Sequence, residues 1–165
     1  MISFIESFKQ ELEKESVQTR RMLQIVPAEK MEWRPHPKSM TIKALAGHLA
    51  EMPLMIALAI NQDKWDFANN PYPPADMNTS GELVTRFDWC IQEAKAALDK
   101  GSDDNLMERW ILRAGDQVYM DVTKWEAIRH AFGQNAHHRA QLGVNLRLLD
   151  IAIPGPYGPS ADEMG

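Results

Sequence analysis

Cysteine is almost missing from this chain: of 165 residues only Cys90 carries a thiol. A fold stapled by internal disulfides is therefore excluded, and a cytoplasmic setting is expected. Positive charge is in deficit as well, with 18 Lys and Arg against 23 Asp and Glu. At a net charge of −5, with basic residues scattered apart from Arg20 and Arg21, the chain lacks the clustered positive surface that a nucleic-acid partner needs. Long apolar runs are absent too. No stretch is free enough of polar breaks to span a bilayer, and the amino terminus reaches Glu6 at once, so neither a membrane span nor a signal peptide is expected. No repeat of fixed period is present.

What is present is a hydrophobic fraction of 44%, enough at this length for one domain with a sizeable core. Its apolar residues recur at helical spacing. From Ser3 to Ile25 they are Ile5, Phe8, Leu12, Met22 and Leu23, with Ser16 and Thr19 forming a polar middle that either lines a pocket or is hydrogen-bonded in the core. Val26-Pro27 ends this helix, and the prolines around Trp33 forbid a continuation.

Ser39 or Thr41 caps a second helix that runs to about Asn61, with Leu45, Leu49 and Met52 on its inner stripe. Pro53 predicts a kink near His48 rather than a stop. Residues 63–78, with Pro71, Pro73 and Pro74, read as a long crossover loop. The spacing of Thr79 and Glu82 predicts a capping box, followed by a third helix with Leu83, Phe87, Cys90, Ala94, Ala97 and Leu98 inward and Gly101 just past its end. Alternation about Ala114-Gly115-Asp116 predicts a small hairpin. A fourth helix, the longest, runs from Val122 or Thr123 to Leu149. The expected fold is all-α: a four-helix bundle over about residues 3–150 with a small hairpin before the last helix, then a Pro/Gly-rich tail over 151–165.

The ligand-capable side chains concentrate on two of these helices. His130, Gln134 and His138 fall at i, i+4 and i+8 on the fourth helix, beside a stripe of Ile128, Ala131, Leu142 and Leu146. His48 lies on the second. Bundles build metal sites from facing helices, and an i, i+4 pair plus a third ligand suits a divalent ion with an open position. His130 and His138 are roughly 12 Å apart along the axis, too far to share an ion easily. The reading is two good ligands, His48 and His138, and one weak ligand, Gln134, whose amide oxygen carries no charge. His137 points elsewhere around the helix, and Arg139 is expected to find a carboxylate. Glu51, one turn from His48, either accepts its second ring proton or faces solvent. Cys90, set in an apolar stripe, predicts an inert thiol, and the five Trp residues read mostly as packing anchors.

Several longer patterns carry a family resemblance. Thr19-Arg20 with Leu23 and Val26-Pro27, the connector Trp33-Arg34-Pro35, the stretch His48-Leu49-Ala50-Glu51, the run His138-Arg139 with Gln141-Leu142 and Leu146-Arg147, and the tail from Tyr157 to Glu163 together resemble the DinB/YfiT-like superfamily. The resemblance covers nearly the whole chain. It implies an up-down-down-up bundle, a homodimer, and divalent nickel or zinc held by three His at the positions of His48, Gln134 and His138, the middle one altered here. His130 matches a further His that suits an orienting role beside the ligands. The implied activity is a metal-dependent S-transferase or isomerase acting on a small-molecule substrate with a low-molecular-weight thiol. The alternatives are a non-catalytic metal-binding or stress-response bundle, and a bundle that has lost its metal.

Overall fold

Hydroxyl side chains start nearly every helix. In the computed structural model, which describes residues 3–70 and 75–165, Ser3 accepts from the Glu6 amide to open α1 (Phe4–Gln24). Thr41 accepts from the Ala44 amide to open α2 (Ile42–Glu51). Thr79 and Glu82 form the expected reciprocal capping box at α4 (Ser80–Lys100). Ser102 caps the short α5 (Asp103–Leu106), and Thr123 with Glu126 forms a second capping box at α6 (Lys124–Leu148). Each cap satisfies amides that the helix itself leaves without partners.

Pro53 acts more strongly than a kink. The second helix breaks into α2 and α3 (Leu54–Asn61), with axes bent by 40°. Proline offers no amide hydrogen, so the junction closes with tighter bonds, Met55 N to Met52 O at 3.1 Å and Ile56 N to Pro53 O at 3.0 Å. The break follows His48 by one turn instead of sitting at it.

The all-α expectation requires correction. A three-stranded sheet of order β1-β2-β3 joins the helices: β1 (Lys64–Asp66), β2 (Arg109–Ala114) and β3 (Gln117–Thr123). The hairpin β2-β3 is the predicted one, and its loop is Gly115-Asp116. Gly115 has φ +57° and is the only one of the two loop residues with positive φ, as a type II′ turn requires. Strand β1 occupies what reads as crossover loop and pairs in parallel with β2, Lys64 to Ile111, Trp65 to Leu112 and Asp66 to Arg113. Asp66 fastens this pairing, because its carboxylate accepts from the amides of Ala68 and Gly115, both at 3.0 Å, and from Asn69 at 2.8 Å. Those amide bonds, Gly115's foremost, hold its pKa below the usual carboxylate range. Pro71, Pro73 and Pro74 lie outside the described residues.

The predicted stripes pack as one core. Ile5, Phe8, Leu12, Met22 and Leu23 of α1, Leu45 and Leu49 of α2, Leu83, Phe87 and Leu98 of α4, and Ile128, Leu142 and Leu146 of α6 are all buried. Both α2 and α3 pack against α4 and α6, while α1 packs against α4, α6 and α2. Among the described residues no single helix is long and apolar enough to cross a membrane.

The tail is non-helical, as its prolines dictate, and it is tied to the helices by charge. Asp162 pairs with Arg147 of α6, Glu163 pairs with Arg21 of α1 at 2.6 Å, and the Tyr157 hydroxyl donates to Glu15 at 3.0 Å. Gly155 is required here, since a Cβ at that position would lie 1.8 Å from the Gly158 carbonyl oxygen.

Candidate functional site

The polar middle of α1 resolves first. Thr19 is fully buried and donates to Asn135 Oδ1 at 2.7 Å, while Arg139, 1% exposed, donates to the same hydroxyl at 3.1 Å. Arg139 finds its carboxylate in Glu15 at 2.7 Å and lies 5.0 Å from the Tyr157 ring centroid. This cluster is an internal support joining α1, α6 and the tail. Thr19 is thus a hydrogen-bonded core residue.

About 100° around α6 from this cluster the two histidines meet. The rings of His48 and His138 approach edge to face, with centroids 4.6 Å apart. His48 is an exposed residue at the edge of the α2 stripe, beside the buried Leu45 and Leu49. Desolvation lowers the pKa of both imidazoles, and for His138 the neighbouring His48 adds to the effect. Both are therefore neutral near pH 7, the form in which imidazole binds metal. His138 Nδ1 faces Gln141 Oε1 at 3.3 Å, and the His137 ring packs on His138 with centroids 5.0 Å apart.

Gln134 lines the same cavity as His48. It stands one turn before His138 on α6. Among the described residues no three His, Cys, Asp or Glu side chains converge to hold an ion. Two imidazoles meet, and the carboxamide of Gln134, one helical turn from His138, is the remaining candidate donor, which makes two strong ligands in place of three for a divalent metal.

His130 departs from the expected buried stack. It is exposed at the rim of the cavity, because each i, i+4 step advances about 40° around the helix and two steps carry His130 roughly 80° away from His138. Glu51 also lines the cavity, and it accepts from Arg86 Nε at 2.8 Å, so this carboxylate is engaged by α4 rather than left to solvent. Cys90 is fully buried and its thiol is pushed up to about 12 by desolvation, which leaves it no nucleophilic role at neutral pH.

The sequence reading misses the cavity itself, about 350 Å³ in volume. Met55 and Leu58 of α3, Trp65 of β1, Phe67, and Trp110 and Leu112 of β2 line it together with the polar residues. Trp110 and Leu112 are two apart on one strand and Trp65 is the register partner of Leu112, so all three share a sheet face. The alternation of Trp110 and Leu112 is visible in the sequence. That their face closes over α3 is not.

Comparison with known proteins follows the same lines. No curated protein matches the chain. A DinB-like protein from Bacillus cereus is similar in structure with a TM-score of 0.71 at 18% identity, covering 94% of this chain and 99% of that one. A DinB-like protein from Bacillus subtilis is similar with a TM-score of 0.70 at 14% identity, covering 91% and 96%. At these identities the likeness concerns the fold. The sequence model of the DinB family matches residues 1–164, and the chain belongs to that family.

Proposed function

We propose that this DinB-family protein is a metal-dependent enzyme in which His48, His138 and Gln134 hold a divalent nickel or zinc ion beside the sheet-side cavity. In this reading it joins a low-molecular-weight thiol to an electrophilic small molecule. The observation that carries the proposal is the meeting of two neutral imidazoles from α2 and α6 next to a mostly apolar cavity. A bound ion would supply a Lewis acid that lowers the pKa of a thiol.

The chain's own residues supply the rest. His48 and His138 offer neutral nitrogen from two rigid helices, and the cavity wall of Trp65, Trp110 and Leu112 excludes water around an apolar substrate. The ion pair of Glu51 with Arg86 fixes a carboxylate one turn from His48, and His130 stands at the rim as an orienting group. The arms α1, α2 with α3, α4 and α6 are read as an up-down-down-up four-helix bundle. A homodimer accords with Val144 and Leu148, 61% and 60% exposed one turn apart on α6.

A second reading, a bundle that has lost its metal, is favoured by the absence of three His, Cys, Asp or Glu ligands among the described residues. Calorimetric titration of the untagged protein with zinc and nickel separates the two. Binding that disappears in His48→Ala supports the enzyme reading, and the loss of a low-molecular-weight thiol in the presence of an aryl halide then tests the chemistry. No binding to the parent overturns the metal-dependent reading.

A further inference from the structure

Positive charge stops short of the sheet-side cavity. Among the described residues no Lys or Arg lines it, and the one acidic side chain that does is Glu51. Strand alternation explains this for the sheet, because Trp65 and Leu112 share the cavity face while Lys64 and Arg113, one step along the same strands, fall on the other. There the Arg113 guanidinium donates to the Gly115 carbonyl at 2.6 Å, and Lys64 borders a separate hollow with Asp66 and Asn69. Arg86 donates to Glu51 at 2.8 Å, yet its guanidinium lies 4.5 Å from the ring centroid of the exposed Trp89 and borders an outer hollow of α4.

We infer that this cavity takes an uncharged, mainly apolar small molecule and turns away organic anions such as carboxylates. The inference rests on the reading of this cleft as the functional site and gives the charge class of its electrophile. Met52, Met55, Leu58 and Phe67 supply thioether, aliphatic and aromatic surface for such a molecule. A carboxylate entering the same space sheds water, meets no cation in the lining and approaches the Glu51 residue. Burying an unpaired charge costs far more than burying a neutral polar group, so the penalty falls on the anion and not on its uncharged analogue. A volume of about 350 Å³ lies at the lower end of small-molecule sites and suits a body of two fused rings.

The test compares 2-acetylnaphthalene with 2-naphthoate, near-isosteres in which a methyl ketone replaces a carboxylate, by equilibrium dialysis against the full chain with a chelator at pH 8 and physiological salt. Free imidazole, with a pKa of about 6.5, is uncharged there, and a Debye length of about 8 Å screens the net negative charge of the chain. Saturable binding of the ketone is expected, with naphthoate weaker by about tenfold or more. Phe67→Arg adds a cation to the lining at a position 43% exposed, where a long polar side chain is accommodated, and should narrow or reverse that preference. Met55→Trp, which takes up cavity volume, should weaken the ketone about tenfold or more. If Met55→Trp fails to fold, Phe67→Arg decides. No saturable binding of the ketone to the parent, naphthoate bound as tightly as the ketone, or a preference unchanged in Phe67→Arg overturns the inference. Zinc titration of the same parent without chelator is scored separately: a failed probe preference with retained zinc binding sinks only this inference, and the reverse sinks only the metal reading.

Discussion

His48 and His138 touch each other yet line different cavities. His48 faces the sheet-side cavity with Gln134, while His138 faces a groove formed with Pro35, Met40 and Val144. The pair is thus a partition, one ring from α2 and one from α6, and any ion held between them is reachable from two sides.

In the proposed metal site Gln134 is the weakest of the three ligands. Gln134→His should complete a three-imidazole set and tighten zinc and nickel binding by about tenfold or more, with a metal-dependent rise in melting temperature. His48→Ala should abolish binding in both backgrounds. Titration calorimetry reads both effects. Equal affinities for the parent and Gln134→His would show that the amide already serves as a full ligand or that another residue completes the site.

The Thr19 hydroxyl serves two buried partners at once, donating to Asn135 and accepting from Arg139. Thr19→Val keeps the shape and removes both bonds, so the loss should be about 1 to 3 kcal/mol. That corresponds to a fall in melting temperature of about 2 to 4 °C per kcal/mol. Thr19→Ser should retain most of the stability. A Thr19→Val variant as stable as its parent would show that the cluster adds nothing.

The tail should contribute pH-dependent stability. The Arg147 guanidinium and the Ile153 amide hold Asp162 at about 2, and the Ser160 amide with Arg21 lowers Glu163. Both carboxyls are depressed below their ordinary values, near 4, so their contribution is present above that range and is lost as pH falls toward 2. Removing residues 155–165 should lower the melting temperature at pH 7, and the gap between full-length and shortened chains should narrow between pH 4 and pH 2. A gap independent of pH would place the tail's contribution in packing instead.

Cys90 should be silent in the native protein. With its thiol pushed up to about 12, the thiolate fraction at pH 8 is on the order of one in ten thousand, and the group is fully buried as well. Iodoacetamide at pH 8 should label the chain only after denaturation, as read by intact mass. Rapid native labelling would contradict the inert role and reopen Cys90 as a nucleophile.

The sequence by itself determined the local structure, because local structure depends on neighbours three or four residues apart. Thr79 and Glu82 cap each other whatever lies around them, Gly115 alone in its turn tolerates a positive φ, and the stripes of α1, α4 and α6 follow from spacing. The capping box of Thr123 and Glu126 was equally readable at the start of α6. The pairing of His48 with His138 was legible too, since each helix places its histidine next to a buried stripe. Only the tertiary structure decided the rest. Strand β1 is three residues long and exists because β2 and the Asp66 carboxylate hold it, a non-local partnership with no periodic signal of its own. The capture of Glu51 by Arg86 and the closure of Trp65, Trp110 and Leu112 over α3 depend in the same way on how elements distant in sequence pack. Side-chain spacing fixes a face of a helix or strand, whereas the partner of that face is chosen by the packing of the whole chain.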